Sequence, residues 1–228
     1  MRNYLTEFIG TFFLVLTVGL TVLGGTPLAP LAIGSSLMIM VYMGGHVSGG
    51  HYNPAVSLAV LLRGKMASAT EFVGYVVSQL AGALVAALVV YVVTGKGFAP
   101  APAATATATS ALLIELLYTF ALALVVLNSA ASAKTHGNSF YGLAIGFTIV
   151  VAAFAGGPIS GGAFNPAVGT GAIIINAAVA GGSVANLWLY IVGPLAGGAL
   201  AAWVFGFQER EPIQLHAEPA RKAESRPA

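Results

Sequence analysis

No cysteine and no aspartate occur among the 228 residues, and charged side chains of all kinds make up only 7% of them. Without a thiol there is no disulfide framework, no thiolate metal site and no cysteine nucleophile. A soluble domain carries about 25% charged residues, and a chain this poor in charge could not cover a water-facing surface. The formal charge of +2 is too small to suggest nucleic acid as a partner. Nowhere do residue types line up as a nucleophile with its base, a phosphate-cradling loop or a cluster of metal ligands, so an enzyme reading has no support, and no cofactor or metal is expected. What the chain does have is apolar residues, 57% of the total. It reads as an all-α integral membrane protein, with lipid as its solvent.

Apolar runs of about 17 to 25 residues are long enough to span a bilayer. Six are expected, at 4–24, 31–45, 68–94, 110–130, 139–157 and 186–207, together forming one domain over 1–207. The first lacks a small-residue cleavage site and reads as a retained span rather than a signal peptide. From Gln208 onward the sequence is charged and proline-bearing, the composition of a disordered tail over 208–228. Arg2, Arg63, Lys65, Lys134, Arg210, Arg221, Lys222 and Arg226 all fall on one side of a six-span layout, and only Lys96 on the other. Basic loops stay cytoplasmic, so both termini are expected inside a cell membrane and 95–109 outside.

One stretch is written twice. S-G-G-H-Y-N-P-A-V occupies Ser48 to Val56, and S-G-G-A-F-N-P-A-V occupies Ser160 to Val168. Seven of nine positions are identical; His51 stands against Ala163 and Tyr52 against Phe164. Glu7 and Glu115 open the first spans of two halves, at about 4–94 and 110–207, with three spans each. An odd number of spans inserts the second copy upside down, and inverted repeats place their site near the membrane midplane.

Asparagine is a preferred N-cap and proline a preferred first helical residue. Asn53-Pro54-Ala55 and Asn165-Pro166-Ala167 therefore each predict the start of a helix, entered through glycines that permit φ > 0. The first, from Asn53 to Arg63, is too short to span. Two half-helices meeting by their N-termini would together make a seventh crossing, and unwound backbone at that depth must line a cavity or be buried in protein. Two N-termini, each with roughly +0.5 of a charge, would repel cations and admit neutral hydrogen-bonding molecules.

These features resemble the aquaporin, or major intrinsic protein, family. The resemblance rests on T-E-F-I-G-T around Glu7, G-H-V-S-G-G-H-Y-N-P-A-V at 45–56, Glu115, the second N-P-A, and W-L-Y-I-V-G-P-L-A-G-G at 188–198. It implies six transmembrane helices with two re-entrant half-helices in an inverted repeat, a pore through each subunit and a homotetramer. It also implies that Asn53 and Asn165 donate to the passing solute, that the carbonyls of Gly49, Gly50, His51, Gly161, Gly162 and Ala163 line the path, and that Glu7 and Glu115 brace the loops. The otherwise plain alternative for the two acids is a pair of interfacial helix-start charges.

The family's selectivity filter falls here on Ile33, Ala153, Gly162 and Val168. Members of the family usually place an arginine where Val168 stands, and water-selective ones commonly carry Phe and His at the first two positions. Losing them removes a fixed charge and a fork of donors and leaves a wider, apolar aperture. Water and small neutral solutes are expected to pass, among them ammonia, hydrogen peroxide, urea or small polyols. A strictly water-selective channel is the alternative, followed by an ion-coupled transporter or a structural membrane protein with a closed pore. Gly169 and Ile173 depart from the glycerol-conducting branch, and Val168 is shared with plant vacuolar relatives. Among the remaining polar residues, His46 and His51 read as loop packing, Lys134 and His136 as part of a topology-setting loop, and Glu71 as an interfacial charge. Gly74, Ser78 and Gly82, and likewise Gly193 and Gly197, have the spacing of close helix contacts.

Overall fold

The computed structural model describes residues 1–209, so the expected tail beyond Glu209, with Arg210, Arg221, Lys222 and Arg226, lies outside the described residues. Among the described residues all regular structure is helical: α1 (Arg2–Leu23), α2 (Ala29–Ser48), α3 (Pro54–Leu62), α4 (Ala69–Thr94), α5 (Ala108–Val126), α6 (Tyr141–Ala155), α7 (Gly157–Ser160), α8 (Pro166–Ala180) and α9 (Leu189–Gln208). A π turn at Leu127–Ala131 prolongs α5, and a short 3-10 turn at Ala133–Thr135 follows it.

Local chemistry sets the ends. The Ser68 hydroxyl accepts from the Glu71 N–H to open α4, and Gly95, at φ 70°, closes it. Thr107 opens α5 through the Ser110 N–H. Among the described residues five helices are long and apolar enough to cross a membrane: α1, α2, α4, α5 with its π turn, and α9. The expected span at 139–157 is α6, of 15 residues, shorter than the other spans; Gly156 and Pro158 interrupt the ladder at its end, and the four-residue α7 follows before the second motif. The span expected at 31–45 is longer than it looked, since α2 continues to Ser48.

Packing follows the duplication. Within each half the first and third long helices pair, α1 with α4 and α5 with α9; between halves α2 packs on α6. Each short helix lies against the other half, α3 on α9 and α8 on α4. Glycine permits these approaches: a Cβ on Gly34 would meet the Gly146 carbonyl, and one on Gly146 would meet that of Gly34. Gly82 faces the Phe8 carbonyl, and Gly197 faces that of Leu116. Gly74, Gly193 and Gly197 thus are packing positions, whereas the Ser78 hydroxyl turns back to its own helix at the Gly74 carbonyl, 2.8 Å away. Outward faces carry exposed Leu5, Val73, Val77, Val92, Leu113 and Trp203, as lipid contact requires.

Candidate functional site

Two loops built from the repeated motif meet at the centre. Gly49 and Gly50 have φ of 88° and 64°, and Gly161 and Gly162 have 91° and 68°. The next bend falls on an aromatic residue in each copy, Tyr52 and Phe164, both at φ 49°. A bulky residue in the left-handed region costs of order 1–3 kcal/mol and persists only where its surroundings over-determine it. Here a buried carboxylate does so. Glu7 accepts from the Ser48 hydroxyl at 2.6 Å, the His51 N–H at 3.0 Å, the Tyr52 N–H at 2.7 Å and Gln79 Nε2 at 2.8 Å. Glu115 accepts from the Ser160 hydroxyl at 2.8 Å, the Ala163 N–H at 3.0 Å and the Phe164 N–H at 2.6 Å. Both acids are fully buried, which excludes the interfacial reading of them. Tyr75 and Tyr190 complete the supports by donating to the carbonyls of Ser48 and Ser160.

The asparagines cap the half-helices. Asn53 Oδ1 accepts from the Ala55 N–H and Asn165 Oδ1 from the Ala167 N–H, each at 2.9 Å. With the oxygens turned inward, the amide nitrogens must face out, and they cross over. Asn53 Nδ2 donates to the Phe164 carbonyl at 2.9 Å, and Asn165 Nδ2 to the Tyr52 carbonyl at 2.8 Å. Each Nδ2 carries two protons, so one N–H per amide is left for an occupant of the cavity that both residues line. Helices α3 and α8 run away from this point for about 14 Å and 22 Å at 1.5 Å per residue. The first half-helix, expected over Asn53 to Arg63, runs from Pro54 to Leu62 with those two residues as its caps, and the second is the longer of the two.

One central cavity gathers about half of the expected residues, while Pro54, Ala55, Pro166, Ala167, Glu7 and Glu115 lie off its wall. Its wall includes Asn53 and Asn165, the four positions expected to form the filter, Ile33, Ala153, Gly162 and Val168, and His51 and Ala163. Its volume is about 30 Å³, above the roughly 10–15 Å³ a cavity needs to hold a water. Of the expected carbonyl positions, Gly50 and Gly161 are not on its wall, and Gly49 borders neighbouring cavities instead. His46 and His136 border a separate cavity of about 300 Å³ with Asn138 and Tyr141.

The rest of the central wall is apolar: Leu14, Val18, Leu37, Val56, Leu122, Ile149 and Phe164. Sequence reasoning passed over these, though a signal was present. Leu14 and Leu122 each lie seven residues, about two turns, beyond Glu7 and Glu115. Leu37 lies one turn beyond Ile33, and Ile149 one turn before Ala153. Ser57 and Gln79 were missed as well, because no pattern along the chain pairs Ser57 with His51 or Gln79 with Glu7.

The chain matches the major intrinsic protein family over residues 1–205. It is 37% identical to "Glycerol uptake facilitator protein-like 6" of Lactiplantibacillus plantarum, across 89% of this chain and 96% of that one. It is 35% identical to "Aquaporin TIP2-3" of Arabidopsis thaliana, across 90% and 86%. Its fold matches the X-ray structure of the aquaglyceroporin from Plasmodium falciparum with a TM-score of 0.80, at 22% identity, over 90% of this chain and 94% of that one. Fold, paired motif loops and sequence likeness agree, and the chain belongs to the major intrinsic protein family of membrane channels.

Proposed function

We propose that water and other small neutral solutes cross through the central cavity, in single file past Asn53 and Asn165 and through a filter formed by Ile33, Ala153, Gly162 and Val168. One observation carries this reading: the cavity wall holds both asparagines and all four filter positions, and it bears no charged side chain. A solute entering the filter meets aliphatic surface, then the spare N–H of each amide. The converging N-termini of α3 and α8 place positive partial charge at the same spot, so cations are disfavoured while neutral molecules lose little. Flux then follows the osmotic or concentration gradient and needs no energy source.

Without an arginine at the filter, ammonia, hydrogen peroxide, urea and small polyols fall within the substrate class. The name of the Lactiplantibacillus plantarum relative supports polyols, although Gly169 and Ile173 depart from the glycerol-conducting pattern. A strictly water-selective channel is the second reading, and the small volume of about 30 Å³ favours it. Residence in the bacterial-type cell membrane, cytoplasmic termini, a single channel domain over 1–207 and assembly as a homotetramer complete the proposal. It rests for orientation on the distribution of Lys and Arg and for assembly on family likeness.

Stopped-flow light scattering of proteoliposomes tests the reading. Shrinkage against an impermeant osmolyte, then re-swelling with glycerol and with urea, would be followed beside empty vesicles and the Val168→Arg variant. Fast shrinkage with fast re-swelling, the latter reduced at least tenfold by the arginine, is the expected result; a loss of that size is about 1.4 kcal/mol of barrier. Fast shrinkage without re-swelling makes the channel water-selective.

A further inference from the structure

The two copies of the motif differ in a coherent way that the conduction path alone does not explain. In the first copy His51 Nδ1 lies 3.0 Å from the Ser57 hydroxyl, and Gln79 Nε2 lies 3.0 Å from that same hydroxyl and 2.8 Å from Glu7. The corresponding positions of the second copy are Ala163, Gly169 and Pro194, none of which can make any of these bonds. All three polar partners go together or not at all.

Proton counting assigns a direction to this chain. Glu7 takes four donors, and turning the Gln79 amide over would replace one of them with an oxygen facing the carboxylate. Gln79 therefore keeps Nε2 toward Glu7 although its Oε1 is left buried without a partner. Both of its N–H groups are then used, one on Glu7 and one on Ser57. Ser57 is fully buried and has one proton to give. Its hydroxyl sits 3.0 Å from His51 Nδ1, so donation to that nitrogen satisfies both groups. A proton on Nδ1 instead would leave the buried Ser57 O–H without an acceptor, which is unfavourable.

We infer that Ser57 and Gln79 are positioning residues that hold His51 in the neutral tautomer protonated on Nε2, and that this N–H is a specificity-determining donor at one throat of the channel. This rests on the conduction reading above. His51 is placed for the role. It borders the central cavity and also a cavity of about 220 Å³ shared with Gly49, Val60, Lys65, Val126, Ala130 and Ala131. The Nε2 edge faces Gly49, where an added Cβ would come within 3.0 Å of it, and the ring rests against Tyr75 at 5.2 Å. With an aliphatic filter, His51 and the two asparagines are the polar side chains on the central wall. The N–H favours solutes that offer an acceptor oxygen or nitrogen, and the opposite throat, with Ala163, offers no counterpart.

The test pairs a spectroscopic with a transport readout. Protein labelled with nitrogen-15 in the histidine rings would be reconstituted in lipid bilayers and studied by solid-state NMR at neutral pH, with a His51→Gln sample to identify the His51 signals. The expected result is a bare Nδ1 and a protonated Nε2, a tautomer mixture in Ser57→Ala, and recovery of the single tautomer in Ser57→Thr. The ratio of urea to water permeability should shift about fivefold in Ser57→Ala, the worth of one hydrogen bond, and return in Ser57→Thr. A proton on Nδ1 in the unaltered protein, or an unchanged spectrum and ratio in Ser57→Ala, overturns the inference. Failure of the conduction reading looks different: no flux above empty vesicles, with the His51 spectrum still deciding the tautomer.

Discussion

Glu7 and Glu115 do the same work with unequal numbers of partners. Four donors converge on the first and three on the second. Each buried donor left without an acceptor costs about 1–3 kcal/mol. Glu7→Ala is therefore expected to lower the thermal unfolding temperature in detergent more than Glu115→Ala, as followed by circular dichroism; equal losses would show that Gln79 adds nothing. The two differing motif positions also have residue-scale reasons. The Tyr52 ring lies over Gly10 and its hydroxyl donates to the Met40 carbonyl at 2.9 Å. Phe164 needs no such partner and packs edge-on against Tyr118 at 5.6 Å, the residue that stands where the first half has Gly10.

At the scale of elements, the crossing of α2 and α6 depends on backbone meeting backbone at Gly34 and Gly146. Side chains cannot move aside there, because the obstacle is a carbonyl. Gly34→Ala should destabilise by about 1–3 kcal/mol through overpacking, whereas Gly157→Ala, with open space around its Cβ, should be close to neutral. Thermal melts of the two variants side by side would check this. Helices α3 and α8 raise a different issue. Each is shorter than the roughly 20 residues that cross a bilayer, and each is held by the third helix of the opposite half. The unwound backbone before each one is tolerated because Glu7, Glu115 and the crossed asparagine amides take up its polar groups.

For the whole molecule, composition gives the first prediction. With no cysteine in the sequence, mercurials should leave water permeability unchanged; a block reversed by a thiol reagent would contradict this. Topology gives the second. If charge bias sets orientation, a membrane-impermeant amine reagent applied to intact cells should modify Lys96, and should reach Lys65 and Lys134 only after the membrane is opened. Both products are measurable by mass spectrometry of the peptides. Modification of Lys65 in intact cells would reverse the proposed orientation without touching the fold.

Class, duplication, half-helix starts and the positions of Asn53, Asn165, Glu7 and Glu115 could all be read from the sequence, because each is a local rule. Long apolar runs need lipid, an odd number of spans inverts a repeat, and Asn-Pro opens a helix. Even the four positions proposed for the filter, carried over by resemblance, come together on one cavity wall. Other features were decided only by tertiary structure. The left-handed φ of Tyr52 and Phe164 relies on Glu7 and Glu115, 45 and 49 residues away, and the crossing of each amide to the other loop joins residues 111 and 113 apart. The chain from Gln79 through Ser57 to His51 is of this kind too. A hydrogen bond has no periodicity along the sequence, so its partners appear only when the fold brings them within about 3 Å.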